Sequence, residues 1–318
     1  MKAYIAMSGG VDSSVSALLM KRAGHDITGV TLRLHELQGC GSANDAQEAA
    51  AVCEKLGAPH LIWDAQPRFR ASVMDHFAQS YLQGRTPNPC INCNRYLKFG
   101  HLLDKALAEG ADLVVTGHYA RIERGNDGRF LLKKGVSEQK DQSYVLYTLT
   151  QHQLAHLRLP LGGYTKEEIR ELARQAGFAN ADKPDSQDIC FVPDGDYVAF
   201  MKRYTGKTYP AGDYLNLDGK VVGKHDGAIR YTLGQRKGLG LAMGAPVYVC
   251  AKGLVMDLCA QVEPEVFRSI VSKSITTAIG MGVSEELGGY VSITVAVILL
   301  TGILGNLSGS FLCKHTGT

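Results

Sequence analysis

Apolar and polar positions along the first half of the chain switch between two repeats, one of a strand and one of a helix. Ala3-Tyr4-Ile5-Ala6 is a short apolar run that predicts a buried strand. From Ser13 to Lys21 the apolar residues Val15, Leu18 and Leu19 recur at helical spacing, with Gly24 as the stop. Ile27–Leu34 reads as a second strand. Asn44–Leu56 reads as a helix with Asn44 at its N-cap and Gly57 at its end. His60–Asp64 and Leu113–Thr116 extend the strand series, and Phe69–Leu82, Asn94–Glu109 and Lys166–Ala176 the helix series. Strands alternating with helices in this way predict an α/β domain: a parallel sheet with helices on both faces, with ligands taken at the carboxyl ends of strands. From Asp194 to Tyr248 the pattern changes to short strands with glycine turns, such as Leu217-Asp218-Gly219-Lys220-Val221. Leu287–Cys313 then carries no charged side chain and is long enough to cross a bilayer core of about 30 Å. Three regions follow: 1–192, a basic β-rich 193–249, and an atypical tail over 250–318.

With 318 residues the chain is long enough for two or three cores. A net charge of +3 permits a polyanionic partner without demanding one. Eight cysteines are too few for a disulfide scaffold at this length. The opening Met1-Lys2-Ala3-Tyr4 does not read as a signal peptide, so the expectation is reduced thiols in the cytoplasm.

Three stretches carry candidate chemistry. In Ser8-Gly9-Gly10-Val11-Asp12-Ser13-Ser14, two glycines turn the chain from strand into helix. The helix N-terminus there offers backbone N–H groups to an anion, and the serines add hydroxyls; a bare tight turn is the plainer alternative. Arg85-Thr86-Pro87-Asn88-Pro89-Cys90-Ile91-Asn92-Cys93 is read as a stiff loop, because two prolines oppose helix. Cys93, ahead of a helix and near Arg85 and Arg95, sits where a thiolate is favoured. A zinc site would need two further ligands, and no second C-x-x-C follows. Cys190, within Lys183-Pro184-Asp185-Ser186-Gln187-Asp188-Ile189-Cys190-Phe191, is either a small buried hydrophobe or a partner in sulfur chemistry. Cys40, Cys53, Cys250, Cys259 and Cys313 read as structural.

The first string resembles the pyrophosphate-binding loop of the ATP-pyrophosphatase superfamily, and no P-loop kinase string occurs. The resemblance implies ATP cleavage between the α and β phosphates. Six ordered motifs then narrow it. After the opening loop come G-R-T-P-N-P-C-x-x-C-N, Thr116–Arg121, Lys140–Tyr144, Asp185–Phe191 and Tyr231–Gly240. Over residues 1 to about 249 the chain resembles the tRNA-specific 2-thiouridylase family. That resemblance implies ATP contacts from Ala6, Met7, Ser8, Gly9, Gly10, Val11, Asp12 and Ser13, with Gly117, and Leu32 on the adenine side. It implies target-base contacts from Asn88, Pro89 and Cys90, and tRNA contacts from His118, Lys140, Asp141 and Gln142. Taken alone, His118 reads as a strand-end histidine and Lys140-Asp141 as a solvated turn. Cys93 matches the nucleophile and Cys190 the persulfide carrier.

The implied reaction is adenylation of C2 of the wobble uridine (position 34) by ATP, with Mg²⁺ on the phosphates, followed by persulfide attack to give 2-thiouridine, AMP and pyrophosphate. The implied partners are tRNAs with Lys, Glu and Gln anticodons and a sulfur donor such as a cysteine desulfurase or sulfur-relay protein. A variant places an iron–sulfur cluster on Cys90, Cys93 and Cys190. Lys202, Arg203, Lys207, Lys220, Lys224, Arg230, Arg236 and Lys237 make the central segment basic enough to track phosphates or simply to face solvent.

The resemblance ends near Val249, where the family continues into a C-terminal β-barrel. The tail over 264–313 instead resembles part of the antiholin-like membrane protein family. The competing expectation is therefore a membrane-associated, catalytically impaired composite chain whose behaviour the tail sets. A third is another ATP-pyrophosphatase acting on a small molecule.

Overall fold

The computed structural model describes residues 1–35, 43–184, 189–216, 218–232, 234–241 and 247–249. The expected tail, including 287–313, and residues 185–188 of the Cys190 motif lie outside the described residues, as does residue 217.

The elements in order are β1 (Lys2–Ala6), α1 (Val11–Arg22), β2 (Asp26–Arg33), α2 (Ala43–Lys55), β3 (His60–Asp64), α3 (Gln66–Phe69), a π-helical Arg70–Met74, α4 (Asp75–Leu82), α5 (Pro89–Asn92), a π-helical Cys93–Leu102, α6 (Leu103–Ala108), β4 (Leu113–Val115), β5 (Ala120–Arg124), β6 (Phe130–Lys134), a 3₁₀ turn Ser143–Val145, α7 (Gln151–Ala155), β7 (Leu157–Arg158), α8 (Lys166–Gln175), α9 (Tyr197–Thr205), β8 (Gly212–Leu215) and β9 (Val221–His225). Two compact units result. Among the described residues, one comprises 1–76 with 88–197, the other 77–87 with 198–249.

The first unit is built on a parallel sheet of order β3-β2-β1-β4-β7. Side chains alternate across it. Ala3, Ile5, Leu113 and Val115 face a core closed by Val15 and Leu18 of α1, Ala49 and Val52 of α2 and Ile169 and Ala173 of α8. Tyr4, Val30 and Val114 face a second core with Phe99, Leu102, Leu103 and Ala106. This is the doubly covered sheet that the alternating pattern predicts. The strand order reverses direction at β1 and β4, so the crevice for a ligand opens beyond their carboxyl ends.

Several local expectations change. The helix expected at Asn94 begins five residues earlier, because Pro89 occupies the first helical position, where a proline loses no hydrogen bond. Asn88 is its N-cap, with Oδ1 accepting from Cys90 N at 3.0 Å. Asn44 lies inside α2 rather than at its cap, and its amide reaches Glu48 one turn on at 3.2 Å. The hairpin β5–β6, the two-residue strand β7 and helix α9 are additions to the expected elements.

In the second unit Phe77, Tyr81, Phe200 and Tyr204 form a ring cluster. Tyr214, His225 and Tyr231 form another on the β8–β9 hairpin. All eight basic residues named above for this segment are exposed.

Candidate active site

The turn after β1 is held open by its own backbone. Gly9 adopts φ +72°, and a Cβ there would come within 2.7 Å of the Asp45 carbonyl, so only glycine fits. Gly10 caps α1 in extended conformation. Ser13 and Ser14 hydroxyls donate back to the Gly10 carbonyl at 3.0 Å each, and Ser8 N donates to Ser13 Oγ at 3.2 Å. In this arrangement the serine hydroxyls brace the turn. The donors offered to an anion are the first-turn N–H groups of α1, which no helical carbonyl can reach. Upstream, Ala6 ends β1, and the carbonyl of buried Met7 accepts from Thr31 Oγ1 at 3.0 Å. Val11 is buried at the start of α1.

Distant parts of the chain clamp this turn. Lys166, 6% exposed at the start of α8, donates to both Asp12 carboxylate oxygens at 2.8 and 2.9 Å. The Tyr119 hydroxyl donates to Asp12 Oδ1 at 2.7 Å. The buried Asn180 amide donates to the Gly9 carbonyl and to Ser14 Oγ, both at 2.9 Å, while its Oδ1 has no hydrogen-bond partner among the described residues. Lys183 bridges Asp45 and Glu48 on α2, the helix that abuts Gly9. Sequence reasoning missed Lys166, Asn180 and Tyr119. The capping box Thr165–Glu168 marks the helix start that aims Lys166, but not its target.

Gly117, just past β4, lies so close to α1 that a Cβ would meet the Asp12 backbone and side chain at 3.0 Å. Leu32, near the end of β2, is half-buried on the face that holds Phe99. His118 is buried, with Nδ1 2.7 Å from Thr116 Oγ1 and its ring 5.7 Å from Phe99. Burial, reinforced by the Lys98 charge, drives its pKa well below the usual imidazole value.

The segment after Lys140 is not a loose turn. Gln142 exchanges two hydrogen bonds with the Tyr119 backbone, at 2.9 and 3.0 Å. The Asp141 carboxylate accepts from Gly135 N and from the Ser143 hydroxyl at 2.9 and 2.7 Å. Burial raises its pKa, but the Ser143 and Gly135 donors, with Lys134, outweigh burial and hold it below the usual carboxylate range.

The thiol loops meet on one helix. Cys90 is exposed and Cys93 half-buried, three apart in the opening turn of the helix that Asn88 and Pro89 start, a spacing that puts them on one face. That turn and the following Cys93–Leu102 pack against Gln66–Phe69 and Arg70–Met74. Cys190 is half-buried, and its neighbour Phe191 seats its ring edge on Phe69, 5.7 Å between centroids. Phe69 in turn meets His35, two residues past β2. Both thiol segments therefore flank the same helix. Among the described residues no three His, Cys, Asp or Glu side chains gather as metal ligands. Cys53 is different in kind: burial pushes its thiol up to about 11, which leaves it inert.

Comparison with known proteins accords with this layout. Residues 1–194 match the family model described as the tRNA methyl transferase HUP domain, and 198–257 match the tRNA methyl transferase PRC-barrel domain. Residues 238–318 match the LrgB-like family. The tRNA-specific 2-thiouridylase MnmA of Lachnoclostridium phytofermentans is 48% identical over 257 residues, covering 78% of this chain and 72% of that protein. Its namesake in Carboxydothermus hydrogenoformans is 49% identical over 258 residues, covering 78% and 71%. The Clostridium kluyveri protein is 44% identical over 284 residues, covering 86% and 80%. A solved U34-tRNA thiolase NcsA from Methanococcus maripaludis, with its 4Fe-4S cluster, is 16% identical over 64% of this chain and 66% of its own. Its TM-score of 0.40 is too low to carry an argument. Within the aligned 257 to 284 residues, 44–49% of positions are identical to these enzymes, and the chain belongs to the tRNA-specific 2-thiouridylase family.

Proposed function

We propose that this chain is a tRNA-uridine 2-sulfurtransferase acting on the wobble uridine of tRNAs with Lys, Glu and Gln anticodons. The observation that carries the reading is the meeting of both thiol segments on the helix that begins at Gln66, in a chain whose phosphate-type turn follows β1. ATP lies with its phosphates on the first-turn N–H groups of α1, bringing Mg²⁺ with it, and its purine toward Leu32 and Gly117. Asn88, Pro89 and Cys90 meet the extruded base. Extrusion costs little in a loop nucleotide that lacks a pairing partner.

The C2 oxygen attacks the α-phosphate and pyrophosphate leaves. Cys190, loaded by a cysteine desulfurase or sulfur-relay protein, presents its terminal sulfur to C2. A C–S bond forms and AMP departs with the oxygen. The Cys93 thiolate then attacks Cys190 Sγ, breaking the bond to the transferred sulfur and leaving a Cys93–Cys190 disulfide. Two electrons from a thiol reductant reset the pair. His118, Lys140, Asp141 and Gln142 line the RNA side, with Asp141 and Gln142 acting by fixing the backbone.

The test is mass spectrometry of tRNA nucleosides from a host lacking this thiolation and carrying the gene. The expected result is restored 2-thiouridine that vanishes with Cys190→Ser or Cys93→Ser. Thiolation that survives both substitutions refutes the thiol roles, and none with the intact chain refutes the activity.

The match of 238–318 to the LrgB-like family favours a second reading, in which the tail sets where the chain resides. No described helix is long and apolar enough to cross a membrane. If the reading holds, the full chain co-sediments with lipid vesicles and a chain ended after Tyr248 does not. Equal recovery of both in the supernatant removes it.

A further inference from the structure

Two tyrosines on the segment that is bonded to Tyr119 stand largely in solvent. Tyr144 and Tyr147 are 62% and 69% exposed, and neither makes a hydrogen bond or ring contact among the described residues. The residues between them are the opposite: Val145 is 4% exposed and Leu146 fully buried. The backbone that carries the two rings is pinned at successive points. Asp141 accepts from Gly135 and Ser143, Gln142 is bonded twice to Tyr119, and Val145, Leu146 and Leu149 close turn hydrogen bonds onto Gln142, Ser143 and Leu146. Tyr119 is itself bonded to Asp12 of the phosphate-type turn. The rings thus stand on a braced arm tied through Tyr119 to the turn after β1.

The adjoining hairpin is basic. Residues 120–140 hold six Lys or Arg (Arg121, Arg124, Arg129, Lys133, Lys134, Lys140) against three acids (Glu123, Asp127, Glu138), a net +3 that equals the charge of the whole chain. Exposed phenol faces beside concentrated positive charge suit a ligand that is flat, aromatic and polyanionic. A rigid single-stranded RNA platform is built this way, because every base has a face to stack whatever its identity.

We propose that Tyr144 and Tyr147 are a stacking platform for the unpaired nucleotides that flank the reacting base. The inference rests on the reading of the substrate as tRNA and adds to it the contact that holds the loop splayed. Stacking of one base on an aromatic ring sets the expected effect at about 5- to 150-fold in affinity per tyrosine.

The experiment is fluorescence anisotropy of a labelled anticodon stem–loop RNA titrated with the full chain and with Tyr144→Ala, Tyr147→Ala, Tyr144→Phe and Tyr147→Phe. ATP binding and thermal midpoint are measured on each. Expected are weakened RNA binding in both alanine variants, near-normal binding in both phenylalanine variants, and unchanged ATP affinity and midpoint in all. Alanine variants that bind RNA as tightly as the unaltered chain overturn the platform while leaving the activity standing if thiolation persists. Phenylalanine variants as weak as alanine also overturn it, since the hydroxyl would then be the contact. Unchanged RNA affinity with lost sulfur delivery by a donor protein assigns the surface to that protein and overturns it as well. An unaltered chain that neither binds the RNA nor thiolates tRNA refutes this inference and the proposed function together.

Discussion

Replacing Lys166 with methionine tests how the phosphate-type turn is held. The substitution keeps the unbranched apolar stem of the side chain and removes the ammonium that both Asp12 oxygens accept from, at 2.8 and 2.9 Å. Breaking a fully buried pair by deleting one partner costs about 3–5 kcal/mol. Here the Lys166 side chain is 8% exposed but that of Asp12 is 33% exposed, so water partly rescues the stranded carboxylate. Tyr119 also continues to donate to it. The cost to folding therefore falls to about 2–3 kcal/mol, which lowers the thermal midpoint by about 5–10 °C in a domain of this size. In the proposed complex the stranded charge also stands in the turn that takes the triphosphate. A repulsion of only about 1.4 kcal/mol there weakens ATP binding tenfold. Differential scanning calorimetry and isothermal titration with a non-hydrolysable ATP analogue read the two effects. The double variant Lys166→Met with Asp12→Asn removes the uncompensated charge and should recover most of both. An unchanged midpoint and affinity in Lys166→Met, or a double variant no better than the single one, refutes the reasoning.

Asn180→Ala deletes donors to the Gly9 carbonyl and Ser14 Oγ; a loss of about 1–3 kcal/mol in urea unfolding is expected, with weaker ATP binding and unchanged RNA binding. Gly9→Ala forces a Cβ to 2.7 Å from the Asp45 carbonyl at φ +72°; no measurable ATP binding is expected by titration, and normal binding would contradict the close approach. His118 is held neutral by burial, with Lys98 adding to the shift, so its folded pKa lies below the unfolded value. Its stabilisation is complete above about pH 6.5 and is lost as pH falls toward the folded pKa, by up to about 1.4 kcal/mol per pH unit. His118→Asn should flatten that acid limb in denaturant unfolding between pH 7 and 5.

The sheet was legible because its strands are short apolar runs bounded by glycine and polar turns: β3 falls on His60–Asp64 as read, and β1, β2 and β4 fall within a residue. The hairpin β5–β6 was not, because its strands mix charge and apolar residues on a half-exposed surface, as in Arg121-Ile122-Glu123. Two-residue β7 has no pattern to read. The early helix start at Pro89 was missed by treating proline as a breaker at a position where it is a starter. The turn Ser8–Ser14 was visible locally, but its clamps were not: Lys166 and Asn180 are 154 and 171 residues away in sequence from the groups they hold. Only the folded sheet brings α8 beside α1. The thiols were legible as residues, whereas their meeting on one helix depends on Phe191 finding Phe69.

That separation sets an order of events during synthesis. The turn after β1 is made 154 to 171 residues before the side chains that lock it, roughly 10–30 s earlier at ordinary elongation rates. Until then the nascent chain carries Asp12 and the Gly9 carbonyl without Lys166 and Asn180, so under the proposed function ATP does not act as an early folding ligand. A turn locked last is braced only on chains that have already made α8 and Asn180, and under the proposed function a prematurely terminated product does not sequester nucleotide.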